Sequence, residues 1–74
     1  RAVVGKVYPE YPADKLGLQK SDEIISVNGI QVANWEAMTQ EIHSHPKEEI
    51  QISWIRNGEI NIAKITTEST PQLL

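Results

Sequence analysis

Three features of this 74-residue chain predict an α+β fold, a small β-sandwich or partial barrel of about four to five strands capped by two helices. From Ile50 onward apolar residues recur with a period of two on either side of an Asn57-Gly58 turn, the pattern of a β-hairpin. Behind Asn34, the apolar residues Trp35, Met38 and Ile42 fall with Thr39 on one stripe at helical spacing. Between Pro12 and Gly29 a short helix, a glycine stop, an acidic turn and a strand follow one another, closed by a second Asn-Gly turn.

In chain order, Ala2, Val3, Val4 and Val7 predict a first strand, interrupted by Gly5 and running to Tyr8, because a residue before proline prefers extended backbone. Pro12 suits a first helical turn, where its missing N–H would go unpaired anyway. Ala13 and Leu16 give that helix one small apolar face, and Gly17 ends it by taking the left-handed conformation without a Cβ penalty. Asp22 can tie down the next turn with its carboxylate, and the Asp22-Glu23 pair reads as a solvated turn-former. Ile24, Ile25 and Val27 form a strand, Asn28-Gly29 closes it, and Ile30 and Val32 start a short one beyond. Asn34 is placed to cap a helix over Trp35–Ser44, with Glu36 favouring its positive end and Pro46 forbidding its continuation. Ile50, Ile52 and Trp54 then point one way and Gln51, Ser53 and Ile55 the other; Ile60 and Ile62 continue the alternation towards Ile65. Residues 1–67 are expected to form the domain and residues 68–74, rich in Thr, Ser, Pro and Gln, a tail or linker.

Bulk properties narrow the function. One small core near the lower size limit is all that this length permits. No cysteine is present, so neither disulfides nor thiolate metal ligands can staple the fold. A formal charge of −3 gives no basic footprint for nucleic acid, and no Lys/Arg cluster seeks anionic lipid. No apolar run approaches the roughly 20 residues of a membrane span, and no signal-peptide pattern opens the chain. The start at Arg1, without Met, reads as a piece of a larger protein.

The order Pro12-Ala13, three residues, Gly17-Leu18, then Asp22-x-Ile24-x-x-Val27-Asn28-Gly29 resembles the central segment of bacterial PDZ domains. With Val32-Ala33-Asn34-Trp35 before a helix and a strand ending at Arg56-Asn57-Gly58, the chain is most similar to PDZ domains of site-2-type intramembrane zinc metalloproteases, the regulator of sigma-E protease family. Two departures stand out: Leu16 where an alanine is usual, and Ser21 where the family has glycine. The second matters for turn geometry, since serine tolerates a positive φ poorly.

The resemblance implies that an extended or C-terminal peptide is taken as an added strand between a sheet edge and the second helix. Carried onto this chain, the peptide-binding groove falls to Trp35, Met38, Thr39 and Ile42, against the alternative that the stripe is ordinary core. The family's Gly-Leu-Gly-Phe-like carboxylate loop has no match here, and phenylalanine is absent. The peptide-binding edge strand is therefore expected either to precede Arg1, which would leave the groove short of one wall, or to be replaced by a different segment at that edge. The resemblance further implies an extracytoplasmic (periplasmic) regulatory domain of an inner-membrane protease, beside a neighbouring PDZ or transmembrane domain. It would recognise or size-filter membrane-protein substrates for regulated intramembrane proteolysis. Zinc is implied for the parent and no cofactor for this domain.

Catalysis by the chain itself finds no support in the sequence. His43 and His45, two apart at a helix end, do not face one way, have no evident third ligand, and suit the helix dipole. No HExxH motif or Gly-rich phosphate loop occurs. Two rival readings keep the fold: a substrate-sensing PDZ domain of a secreted or periplasmic serine protease, and a structural module whose apolar stripe packs against a neighbouring domain.

Overall fold

Seven elements follow one another in the computed structural model, which describes residues 1–67: β1 (Ala2–Val3), α1 (Pro12–Leu16), β2 (Glu23–Val27), β3 (Ile30–Gln31), α2 (Trp35–His43), β4 (Glu49–Arg56) and β5 (Glu59–Thr66). The expected tail at 68–74 lies outside the described residues. The strands form one antiparallel sheet in the order β1-β2-β4-β5, with β3 also paired to β2. This sheet has two ends and does not close into a barrel. Its core face carries Ile24, Val27, Ile50, Ile52 and Trp54, against which Met38 and Ile42 of α2 and Ala13 of α1 pack. Burying each large apolar side chain of this set contributes roughly 1.5–3 kcal/mol.

Local chemistry explains most boundaries. Asn34 Oδ1 accepts from the Ala37 N–H at 2.8 Å, so the predicted cap is made; such a bond is worth about 1 kcal/mol. At the other end, the Ser44 hydroxyl donates to Gln40 O at 2.9 Å, and the helix stops at His43 with Ser44 as its cap, two residues short of Pro46. Gly17 takes φ +86°, and the Leu18 N–H reaches back to Ala13 O at 3.0 Å, ending α1 as expected. Both Asn-Gly turns hold two successive positive φ values, 52° and 80° at Asn28-Gly29 and 52° and 79° at Asn57-Gly58. This mirror-image turn matches the twist of the strands it joins.

The first strand is shorter than the sequence predicts. It was expected to reach Tyr8, but strand pairing covers only Ala2 and Val3. The Val4 N–H donates to Asp22 O and its carbonyl accepts from the Ser21 N–H, both at 2.8 Å. Val4 is thus bonded to a turn rather than to a strand, and beyond it the chain leaves the sheet through Gly5. Ser21 itself sits at φ +78°, so serine here holds the glycine-like conformation. Left-handed backbone costs a side-chain-bearing residue about 1–2 kcal/mol, partly offset by the extra entropy that glycine would lose on folding. Ser21→Gly is therefore expected to stabilise the domain by about 0.5–1 kcal/mol in urea unfolding. A loss of stability would show that the serine side chain contributes more than its backbone strain.

The Asp22-Glu23 reading needs correction. Asp22 is not a solvated turn-former: only 2% of it is exposed. Its carboxylate is enclosed because Arg56, 34 residues downstream, folds over it. Leu16, the other departure, is half-buried against the core edge, where its extra bulk is accommodated.

Candidate functional site

Among the described residues, strand β1 is paired along one edge. Ala2 pairs with Ile24 and Val3 with Glu23 of β2, and no other described strand lies alongside. Since both backbone groups of Val4 face Ser21 and Asp22, strand alternation turns the N–H and C=O of Val3 to the open side. The side chains of Ala2 and Val4 are buried while Val3 is exposed. Helix α2 packs on β1 and β2 on the core side of the sheet. An additional strand laid along β1 would therefore bond to the Val3 backbone and turn every second side chain towards α2.

On α2 the structure separates the four sequence-predicted residues. Met38 and Ile42 are 1% and 3% exposed and belong to the core that fixes the helix on the sheet. Trp35, the first helical residue, is 37% exposed, and Thr39 is half-buried one turn later. All four share the stripe that spacing predicts; Trp35 and Thr39 keep surface to offer a ligand. Strand β1 and helix α2 both contact β2, which pairs with β1 through Glu23 and Ile24 and with β3 through Ser26 and Val27.

Around Asp22 lies a polar cluster that spacing gave no means of finding. Arg56 Nε donates to Asp22 Oδ1 at 2.8 Å, and Arg56 Nη2 donates to Asp22 Oδ2 at 2.6 Å and to Gly17 O at 2.9 Å. The Gln19 N–H donates to Asp22 Oδ2 at 2.7 Å. Hydrogen bonding from Arg56 holds the Asp22 carboxyl below the usual carboxylate range, against the opposing effect of burial and with help from the Gln19 N–H. The same pairing raises the Arg56 guanidinium still further above neutrality. Arg1 and Glu23, 3.0 Å apart at the start of β1, form an exposed pair of the kind worth little to stability.

His43 and His45 do not converge on a common point of chemistry. His45 Nδ1 lies 2.7 Å from Glu48 Oε2 in the loop after α2, and His43 is exposed on the helix. Among the described residues no group of three His, Cys, Asp or Glu side chains is placed to hold a metal ion, and no helix is long and apolar enough to cross a membrane.

Comparison with known proteins bears on this geometry. The PDZ domain family model matches residues 1–67. Zinc metalloprotease RasP of Shouchella clausii is 48% identical over 48 residues, covering 65% of this chain and 12% of the relative. Zinc metalloprotease RasP of Geobacillus kaustophilus is 32% identical over 69 residues, 93% of this chain and 16% of the relative. Protease RseP of Photorhabdus luminescens is 33% identical over 69 residues, 93% of this chain and 30% of the relative. The chain thus spans under a third of the length of each of these three. Among solved structures, the PDZ domain of the SdrC-like protein from Listeria monocytogenes superposes with a TM-score of 0.80 at 21% identity, covering 96% of this chain and 80% of that one.

Proposed function

The chain belongs to the PDZ domain family, and from that premise we propose that it is a peptide-recognition domain that regulates a membrane-embedded zinc metalloprotease. The observation that carries the peptide role is the stripe of α2, on which Trp35 and Thr39 keep surface for a ligand above the buried Met38 and Ile42. An extended segment laid along that stripe gains main-chain hydrogen bonds from the sheet edge facing α2 and apolar contact from Trp35 and Thr39, while Met38 and Ile42 support the groove from beneath. Support for the parent comes from the RasP and RseP relatives, whose names carry the protease and, for RasP, the zinc. In this reading the zinc ligands lie elsewhere in the parent and the domain contributes no catalytic group.

The ligand is the C-terminal or extended part of a membrane-protein substrate, presented on the extracytoplasmic side of an inner membrane. A neighbouring PDZ or transmembrane domain of the parent shares that side. Admission of a substrate is then set by whether its end can be held in the slot.

Titration with apolar-ended peptides while following amide resonances tests the reading. Saturable shifts are expected from Trp35 to Ile42. Trp35→Ala removes exposed apolar surface from the stripe while leaving the buried Met38 and Ile42 in place. Losing this contact is expected to weaken binding about tenfold, roughly 1.4 kcal/mol. An absence of saturable shifts would exclude capture in this slot and leave only steric gating as the regulatory mechanism.

A further inference from the structure

We infer that the outward shoulder of the first two turns of α2, built from Trp35, Glu36, Thr39 and Gln40, is a subsite for a cationic side chain of the bound peptide, arginine before lysine. This inference rests on the peptide-capture reading above and adds to it the chemical class of one ligand residue.

Helical geometry brings the four side chains together. Trp35 and Thr39 are four residues apart, as are Glu36 and Gln40, so the members of each pair stand one turn apart and the two rows lie side by side. Trp35, Glu36 and Gln40 are exposed and Thr39 is half-buried. The ion pairs among the described residues are Arg1–Glu23, His45–Glu48 and Arg56–Asp22, which leave Glu36 without a cation. Among the same residues the cation–π contact is Lys6 over Tyr8 and the aromatic pair is Tyr8–Tyr11, so the Trp35 indole has neither a charge nor a ring against it. Nor is Glu36 spent on the helix end, because Asn34 Oδ1 already takes the Ala37 N–H.

Charge decides what this shoulder takes. No Lys or Arg occurs between Lys20 and Lys47, a stretch that holds β2, β3 and α2 together with Asp22, Glu23, Glu36 and Glu41. Asp22 and Glu23 are matched from outside the stretch by Arg56 and Arg1; Glu36 and Glu41 are not. An exposed indole face beside an unmatched carboxylate attracts a cation twice, through the ring quadrupole and through the ion pair. Guanidinium suits it better than ammonium, because its plane can stack on the indole while its edge donates to the carboxylate. An acidic ligand residue at the same place meets Glu36 and is repelled.

Register then says which ligand residue this is. Same-side residues of an extended segment recur about every 6.6–6.8 Å, and four residues of helix advance roughly 6.0 Å. A peptide whose apolar end rests at Thr39, above Met38 and Ile42, therefore brings the residue two before its end to Trp35 and Glu36.

Four peptides ending in valine, with arginine, lysine, glutamine or glutamate two positions before the end, provide the test. Each is titrated into the domain at low salt, with the α2 amide resonances as readout. Affinity is expected to fall in that order, the arginine peptide binding about tenfold tighter than the glutamine one. Glu36→Gln is expected to reduce that ratio to about threefold, and Glu36→Lys to make the glutamate peptide bind tighter than the arginine one. Glu41→Gln makes the same change of charge five residues further on, on the other flank of the helix, and is expected to leave the ratio as in wild type. Equal affinity for the arginine and glutamine peptides, both saturating, overturns the inference and leaves the capture reading standing. A ratio that falls equally in Glu36→Gln and Glu41→Gln also overturns it, since the preference then comes from net charge and not from this shoulder. Failure of all four peptides to saturate defeats the capture reading itself, and the subsite with it.

Discussion

Ile52→Ala is expected to cost about 2–5 kcal/mol, the range for truncating a fully buried isoleucine to alanine. Ile52 is 0% exposed at the middle of β4, with Val27 of β2 and Ala63 of β5 as its cross-strand partners. Neither neighbour can refill the space: Val27 is itself buried, and Ala63 has no reach. Domains of this length are stable by about 4–11 kcal/mol in total, so the single change consumes a large share or all of that margin. Urea unfolding provides the measurement, with Ile62→Ala as its internal control. Ile62 is 61% exposed on the opposite face of the sheet, and its truncation is expected to stay within about 0.5 kcal/mol of wild type. A loss under 1 kcal/mol for Ile52→Ala would contradict the core assignment.

The second large effect is pH-dependent. Because Arg56 lowers the Asp22 pKa in the folded state, the unfolded chain takes up a proton there more readily than the folded one. Stabilisation from this carboxylate is therefore complete above the unfolded value, about 3.9, and is lost as pH falls through the lower folded value. Asp22→Asn keeps the shape and an acceptor for Gln19 but not the charge facing Arg56. Near neutral pH the variant is expected to melt roughly 5–10 °C below wild type, the effect of weakening charge-assisted hydrogen bonds in a domain of this size. The gap should hold steady down to about pH 5 and close below about pH 4. Thermal scans of both proteins across that range check it, and a gap that persists unchanged in acid would show that Asp22 is not coupled to Arg56.

What the sequence made legible follows from the range of the forces involved. The α2 cap, the Gly17 stop and the two Asn-Gly turns are determined within four or five residues, so Asn34, Gly17, Asn28 and Asn57 announced them. The stripe Trp35, Met38, Thr39, Ile42 was equally plain, because helical spacing reveals which residues share a face. How deep each residue lies on that face depends on the sheet beneath; Met38 is enclosed by it while Trp35, at the first turn, overhangs it. Asp22 was misread for the same reason in stronger form: its partner is 34 residues away, and no local pattern distinguishes a carboxylate in water from one gripped by a distant guanidinium. The length of β1 failed on competition, since the Ser21–Asp22 turn claims the Val4 backbone that a longer strand would have used. Serine at position 21 with φ +78° shows that the turn imposes its shape on the residue, not the reverse.

The sharing of β2 by β1 and α2 has a consequence for how the domain can vary. Deleting one residue between Glu23 and Val27 would throw β1, β3 and therefore the approach to α2 out of step together, while also turning Ile24 or Val27 out of the interior. An extra residue at the Asn57-Gly58 tip, by contrast, meets only solvent and the ends of one hairpin. Length changes in descendants of this fold should accumulate at that tip and be purged from β2, so that the gap between helix and strand is inherited as a fixed gauge while the residues along it are free to drift.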